Sequence, residues 1–251
     1  MFRRMRSLVV IPVAIATLLV GSTALAERDR DDESGEAVEF KDARLKIETN
    51  DTDGDAGIQV FLDSDPWQWI EITDPNGRRL FRSATRGSFG LQGGTELFLE
   101  SGEPSFGEVP LAEFLARFPA GEYRFRGEGN EGEEFFGTAT FTHDIPAGPL
   151  LVGPHEGGKG VDPDNAVVQW EPVAPPNGSP IIGYQVLVVL GDTGLPALPK
   201  IALDVMMPPT ATSLAVPPGF LRRDTRYEWE VLSIEEGGNQ TLSSSFFRTA
   251  P

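Results

Sequence analysis

Val167-Val168-Gln169-Trp170-Glu171-Pro172 is followed by a Pro/Gly loop and then by Ile181-Ile182-Gly183-Tyr184-Gln185-Val186. In the first run Val168, Gln169, Trp170 and Glu171 alternate apolar and polar side chains; the second is a nearly continuous apolar strand. Further on, Leu221, Thr225, Tyr227 and Val231 precede the turn Gly237-Gly238-Asn239. Strand-like runs recur at 166–171, 181–190, 200–205, 212–216, 226–234 and 243–249, separated by turn clusters. Prolines fall between these runs or at their edges, where no ladder donor is needed. This spacing predicts an all-β sandwich of two stacked sheets.

The same frames resemble a fibronectin type III module over about residues 145–251. Trp170 stands at the core tryptophan of strand B. Gly178-Ser179-Pro180-Ile181-Ile182-Gly183-Tyr184-Gln185-Val186 matches the entry to strand C. Leu221, Thr225, Tyr227 and Val231 match strand F, with Arg223 where that family favours proline and Ser233 where it favours alanine. The resemblance implies an immunoglobulin-like sandwich, with the Tyr227 hydroxyl pinning the crossover into strand F. It also implies a module that holds, spaces and binds, and that seldom does chemistry.

Residues 40–144 read as a second β-rich domain, a sandwich carrying one short helix. Arg44–Glu48, Ile58–Leu62, Gln68–Thr73, Arg78–Ser83, Thr95–Glu100, Tyr123–Arg126 and Phe135–Thr142 have strand character, and Asp74-Pro75-Asn76-Gly77 is a turn signal. Leu111, Phe114, Leu115 and Phe118 recur at spacings of three and four, giving one apolar helical stripe between Pro110 and Pro119. That stripe is expected to plug an open end of the sandwich. Pro146 and Pro149 make the junction from Ile145 to Pro154 stiff and extended.

The first 26 residues read as a signal peptide. Arg3, Arg4 and Arg6 form a basic head, an apolar run of about 13 residues follows, and Ala24-Leu25-Ala26 fits the cleavage rule. The run is short of the roughly 20 residues that span a bilayer. The implied location is periplasmic or extracellular, with no membrane insertion after cleavage. Residues 27–39 read as a disordered acidic leader.

The formal net charge is −17, so nucleic acid is an unsuitable partner. There is no cysteine, which removes thiol catalysis, disulfides and thiolate metal sites. The two histidines, His143 and His155, lack a surrounding nucleophile frame. No cofactor is implied beyond a calcium candidate. That candidate is the loop Asn50–Gly57, where Asp51, Asp53 and Asp55 alternate; the competing reading is a solvated acidic turn.

Trp67 and Trp69 are the candidate ligand-binding residues. Regular alternation puts them with Glu71 on one face and Gln68, Ile70 and Ile72 on the other. Two outward tryptophans beside an acid would form a stacking platform for a sugar or an aromatic anchor; the alternative is that both are covered. Glu100, Glu103, Glu108 and Glu113 cluster in sequence, which alone does not make a glycosidase pair. The expected function is therefore a non-enzymatic binding or structural protein making protein or surface contacts. A carbohydrate- or calcium-dependent module is the alternative, and a hydrolase comes last.

Overall fold

The computed structural model describes residues 37–251. The signal segment, its cleavage site and most of the acidic leader lie outside the described residues. Fifteen strands and two α-helices run in the order β1 (Ala37–Glu39), β2 (Asp42–Asn50), β3 (Asp55–Thr73), β4 (Arg79–Ala84), α1 (Gly87–Gln92), β5 (Gly94–Glu100), α2 (Leu111–Arg117), β6 (Gly121–Gly129), β7 (Glu134–Phe141), β8 (Leu151–Gly153), β9 (Gly158–Val161), β10 (Val167–Trp170), β11 (Ile181–Leu190), β12 (Ile201–Met207), β13 (Ser213–Ala215), β14 (Arg226–Glu235) and β15 (Gln240–Thr249). Among the described residues no helix is long and apolar enough to cross a membrane.

In the C-terminal half, β13, β10 and β8 form a three-stranded sheet. It faces β9, β15, β14, β11 and β12 of a larger one. The inward side chains of the two layers seal a core that includes Val168, Trp170, Tyr184, Val186, Tyr227, Trp229, Val231 and Phe247. Trp170 packs on Tyr184 at a centroid distance of 5.5 Å, and Tyr227 stacks on Phe247 at 5.8 Å. The Tyr227 hydroxyl accepts the backbone N–H of Arg222 at 2.8 Å, which ties the strand to the chain that leads into it.

The N-terminal half is built around one bent strand. Sequence reading treats 58–62 and 68–73 as separate strands; the structure joins them in the 19-residue β3. Its first part pairs with β2 and β5, and its second with β4 and β6. Register shifts occur around Ser64-Asp65-Pro66, where proline removes a ladder donor and the strand passes from one layer to the other. A core of Leu45, Ile47, Ile58, Leu62, Trp67, Ile70, Ile72, Phe125 and Phe141 lies between the layers. Phe114 of α2 is buried in this core, with Leu111, Leu115 and Phe118 against it, as the stripe predicts.

Two local expectations are corrected. Residues 40–144 hold two α-helices, not one: α1 escapes the apolar-stripe test because it holds two glycines and leaves Phe89 and Leu91 exposed. Ala37–Glu39 are a strand paired in parallel with β7, not a continuation of the leader, because Val38 and Phe40 find apolar partners in the core.

The large sheet runs through both halves. Glu48–Asn50 of β2 pair in parallel with Gln240–Leu242 of β15. Around this seam Asn239, buried, donates from Nδ2 to the Thr142 hydroxyl at 2.9 Å. Thr241 Oγ1 donates to the Pro146 carbonyl at 2.5 Å and Ser233 Oγ to the Ala147 carbonyl at 2.8 Å. Ser233, where the resemblance to fibronectin type III modules leads to an expectation of alanine, thus clips the junction peptide to β14.

Candidate functional site: an aromatic and arginine cleft

Ile70 and Ile72 point into the core, so Trp69 and Glu71 lie on the outer face of β3, as alternation predicts. Trp67 departs from it. On the β6 side, Trp67 pairs with Gly129 and Trp69 with Glu128, so two steps of β3 oppose one of β6. This bulge at Gln68 turns Trp67 inward, where it is 5% exposed. Its indole lies on Gly94, where an added Cβ would stand 2.5 Å from the ring. The expected pair of outward tryptophans is therefore not built; Trp69 alone is on the surface, half-buried.

Trp69 has its own surroundings. Its Nε1–H donates to Glu128 at 2.8 Å, and the Arg82 guanidinium lies over the ring at 4.4 Å from the centroid. Glu71 pairs with both Arg82 and Arg79 at 3.2 Å. Trp69, Arg126, Glu128, Glu134, Phe136 and Ala37 line a cleft of about 370 Å³. Phe136 is 47% exposed, and Arg126, its cross-strand neighbour, is exposed and makes no ion pair among the described residues. Residues 123–126 have strand character in the sequence, which does not link Arg126 to Trp69. The Phe135-Phe136 doublet does not say which ring faces out; the register with β6 decides it.

The Asp51 loop is a turn organised by Asn50. Asn50 Oδ1 accepts the amides of Thr52 and Asp53, both at 3.0 Å, and its Nδ2 donates to the Asp53 carboxylate at 3.2 Å. Asp51 and Asp53 are exposed. Among the described residues the carboxylates close enough to share a cation are instead Glu48, Glu100 and Glu103, with ligand oxygens within 4.8 Å of one another. Strand register brings Glu48 and Glu100 together, since Glu48 pairs with Gly57 and Gln59 with Glu100, and Glu103, just past β5, folds back beside Gly57. Such a trio offers hard oxygen ligands. It also has an internal counter-charge. Lys46 donates to Gln240 Oε1 at 2.7 Å while Gln240 Nε2 donates to Glu48. Burial raises the Glu48 pKa, against the hydrogen bond from Gln240 and the charge of Lys46.

His143 serves the fold locally. His143 Nε2 is 2.9 Å from the Phe118 carbonyl, and its ring meets Phe141 edge-on at 5.4 Å. The Asp144 carboxylate accepts from Asn177 at 2.8 Å, so His143 and Asp144 do not form a dyad. His155 is exposed in a loop. Glu108 binds Ser105, and Glu113 pairs with Arg117 at 2.7 Å.

A three-stranded sheet of β8, β10 and β13 over a sheet containing β15, β14, β11 and β12, with a core tryptophan and a tyrosine tied upstream, has the layout of one known sandwich class. The C-terminal half has a fibronectin type III-like fold. Solved structures similar to the chain include the fibronectin(III)-like modules of Clostridium thermocellum CbhA, at 9% identity and a TM-score of 0.34, covering 84% of this chain and 93% of that one. The FN1–FN3 domains of chicken CNTN1 match at 12% identity and a TM-score of 0.33, covering 86% of this chain and 66% of theirs. A redesigned β-sandwich protein matches 43% of this chain and 92% of its own at 23% identity and a TM-score of 0.27. No family model and no curated protein matches the chain.

Proposed function

We propose that the chain is an exported, non-enzymatic binding protein. In this reading residues 40–144 carry the contact with a protein or surface partner, and the fibronectin type III-like residues 145–251 set its distance and angle. The cleft at Trp69, Arg126 and Phe136 carries the proposal. Tryptophan and arginine are the side chains over-represented where interfaces concentrate their binding energy, and here they stand with an exposed phenylalanine on a rigid sheet. Export rests on the basic head and apolar run of the first 26 residues. The absence of chemistry is supported by the local duties of His143 and by the ion pairs and hydrogen bonds that engage Glu108 and Glu113.

A glycan partner is the alternative, using the Trp69 ring. It requires Arg82 to leave the ring face, which favours the protein partner. A photo-activated cross-linker at Phe136, with Leu150 as the control position, tests the reading in the secreting cell. A single adduct at Phe136 that disappears with Trp69→Ala is expected. Adducts of equal yield at both positions would sink it. Saturable quenching of Trp69 fluorescence by saccharides would move the assignment to a glycan.

A further inference from the structure

The outer face of the C-terminal sheet ends in a row of three cations. Arg226 of β14 pairs in register with Arg248 of β15, and Arg248 pairs with Lys159 of β9. Like charges directly opposite each other across strands are destabilising. A chain with 38 acidic and 21 basic residues has ample carboxylate to break such a row, yet among the described residues only one forms an ion pair with it. Asp224 takes the Arg248 guanidinium at 2.8 Å. Arg226 lies over the Phe246 ring at 3.9 Å from its centroid. Among the described residues neither Arg226 nor Lys159 makes an ion pair.

These side chains surround a cavity of about 210 Å³, with Gly157, Gly158 and Phe246 completing its wall. Both glycines are required there. Gly157 has φ +68°, and a Cβ on Gly158 would stand 2.8 Å from the His155 carbonyl oxygen. Their amides are already engaged, Gly157 with the Phe246 carbonyl and Gly158 with that of His155. Any ligand is therefore held by the cationic side chains. Two further carboxylates, Glu228 and Glu230, follow on the same face of β14, and burial raises the pKa of both.

The geometry points to a binding site for a small oxyanion: a phosphate or sulfate group held by Lys159, Arg226 and Arg248. The cavity is smaller than the ~300–1,000 Å³ of sites for drug-sized molecules, so it takes one such group and leaves anything attached to it outside. The ligand supplies the negative charge that the row lacks. It is independent of the Trp69 cleft, which lies on the other half.

Titration of the ¹⁵N-labelled full chain with sodium phosphate, at constant ionic strength set by sodium chloride and at pH 7, tests the site. A protein this acidic repels anions in general, so a saturable response at a few signals is diagnostic. The expected result is saturating shifts at Gly157, Gly158 and the Arg226 Nε–H, with affinity lowered at least about tenfold in Lys159→Ala/Arg226→Ala. A second arm with glycerol phosphate distinguishes a free ion from a group carried on an organic molecule: the tighter binder names the source. Non-saturating shifts, or equal affinity in the double variant, would overturn the site. In chloride alone Lys159→Ala should raise the melting temperature by relieving repulsion. A drop of several degrees would instead make Lys159 structural and the proposal wrong.

Discussion

The side-chain Oδ1 of Asn239 accepts the backbone amide of Ile47 at 3.1 Å, so a residue of the C-terminal half supplies an acceptor that β2 of the N-terminal half needs. The same side chain donates to the carbonyls of Thr142 and Asp144, both at 3.3 Å, and the backbone N–H of Asn239 donates to the Glu235 carboxylate at 2.9 Å. Asn239 is 1% exposed, so these groups have no water to fall back on. Asn239→Ala should cost on the order of 2–4 kcal/mol, because the Ile47 amide is left buried and unpaired. Asn239→Asp keeps the acceptor but loses the donors and adds a buried charge, so it should cost no less. Urea unfolding checks this, with a split of one transition into two as the accompanying sign. An unchanged midpoint for Asn239→Ala would show that the seam does not depend on it.

The two tryptophans of β3 should behave oppositely. Trp67→Ala empties a core position and should destabilise by about 3–5 kcal/mol. Trp67→Phe keeps much of the packing and should cost less. Trp69→Ala removes a half-buried ring and one hydrogen bond, so its loss should be about 1–2 kcal/mol. Denaturant midpoints separate the three, and equal losses at both tryptophans would contradict the bulge at Gln68.

That bulge also marks the limit of what the chain discloses about itself. Strand position is readable where the local pattern is strong: 181–190 is a nearly continuous apolar run buried on both sides, and 226–231 alternates polar residues with Tyr227, Trp229 and Val231. Trp170 and Tyr227 announced a sandwich since each needs a specific environment. Residues 63–67 fall between two predicted strands, yet they are a corner within one strand: local composition does not report whether the same strand continues past a bend. The seam between β2 and β15 joins residues 192 apart, as in the Ile47–Asn239 pair, and no local period encodes a non-local parallel pairing. For the same reason Glu48, Glu100 and Glu103 were invisible as a group, and Arg126 and Phe136 could not be attached to Trp69 until register was known.

Tyr227 offers a test confined to one bond. Its ring is packed against Phe247 and is 1% exposed, so Tyr227→Phe preserves the apolar contact. What disappears is the acceptor for the Arg222 amide. The expected cost is about 1–3 kcal/mol, with faster hydrogen exchange at Arg222 and little change in the Trp170 region. Unaltered exchange at Arg222 would mean that the hydroxyl does not hold the crossover.

Stability should pass through a minimum near pH 8, because two buried groups on the outer face of the large sheet titrate there in opposite senses. Burial first, then the carboxylates of Glu228 and Glu48, push the Glu230 pKa up to about 8 from 4.5. Between those values the folded chain keeps a proton that the unfolded chain has released. The contribution of this group is therefore complete below pH 4.5 and is lost as pH climbs through about 8. Lys46 runs the other way. Burial lowers its pKa to about 8 from 10.5, with Glu48 opposing, so its contribution is present above 10.5 and is lost as pH falls through about 8. Shifts of this size correspond to effects on the order of a few kcal/mol. Glu230→Gln removes the ionisable group at nearly constant volume. It should flatten the decline between pH 5 and 8, leaving the recovery above pH 8 to Lys46. Urea midpoints measured from pH 5 to 10 decide the matter: curves for the two proteins that run parallel across pH 5–8 would show that Glu230 ionises normally.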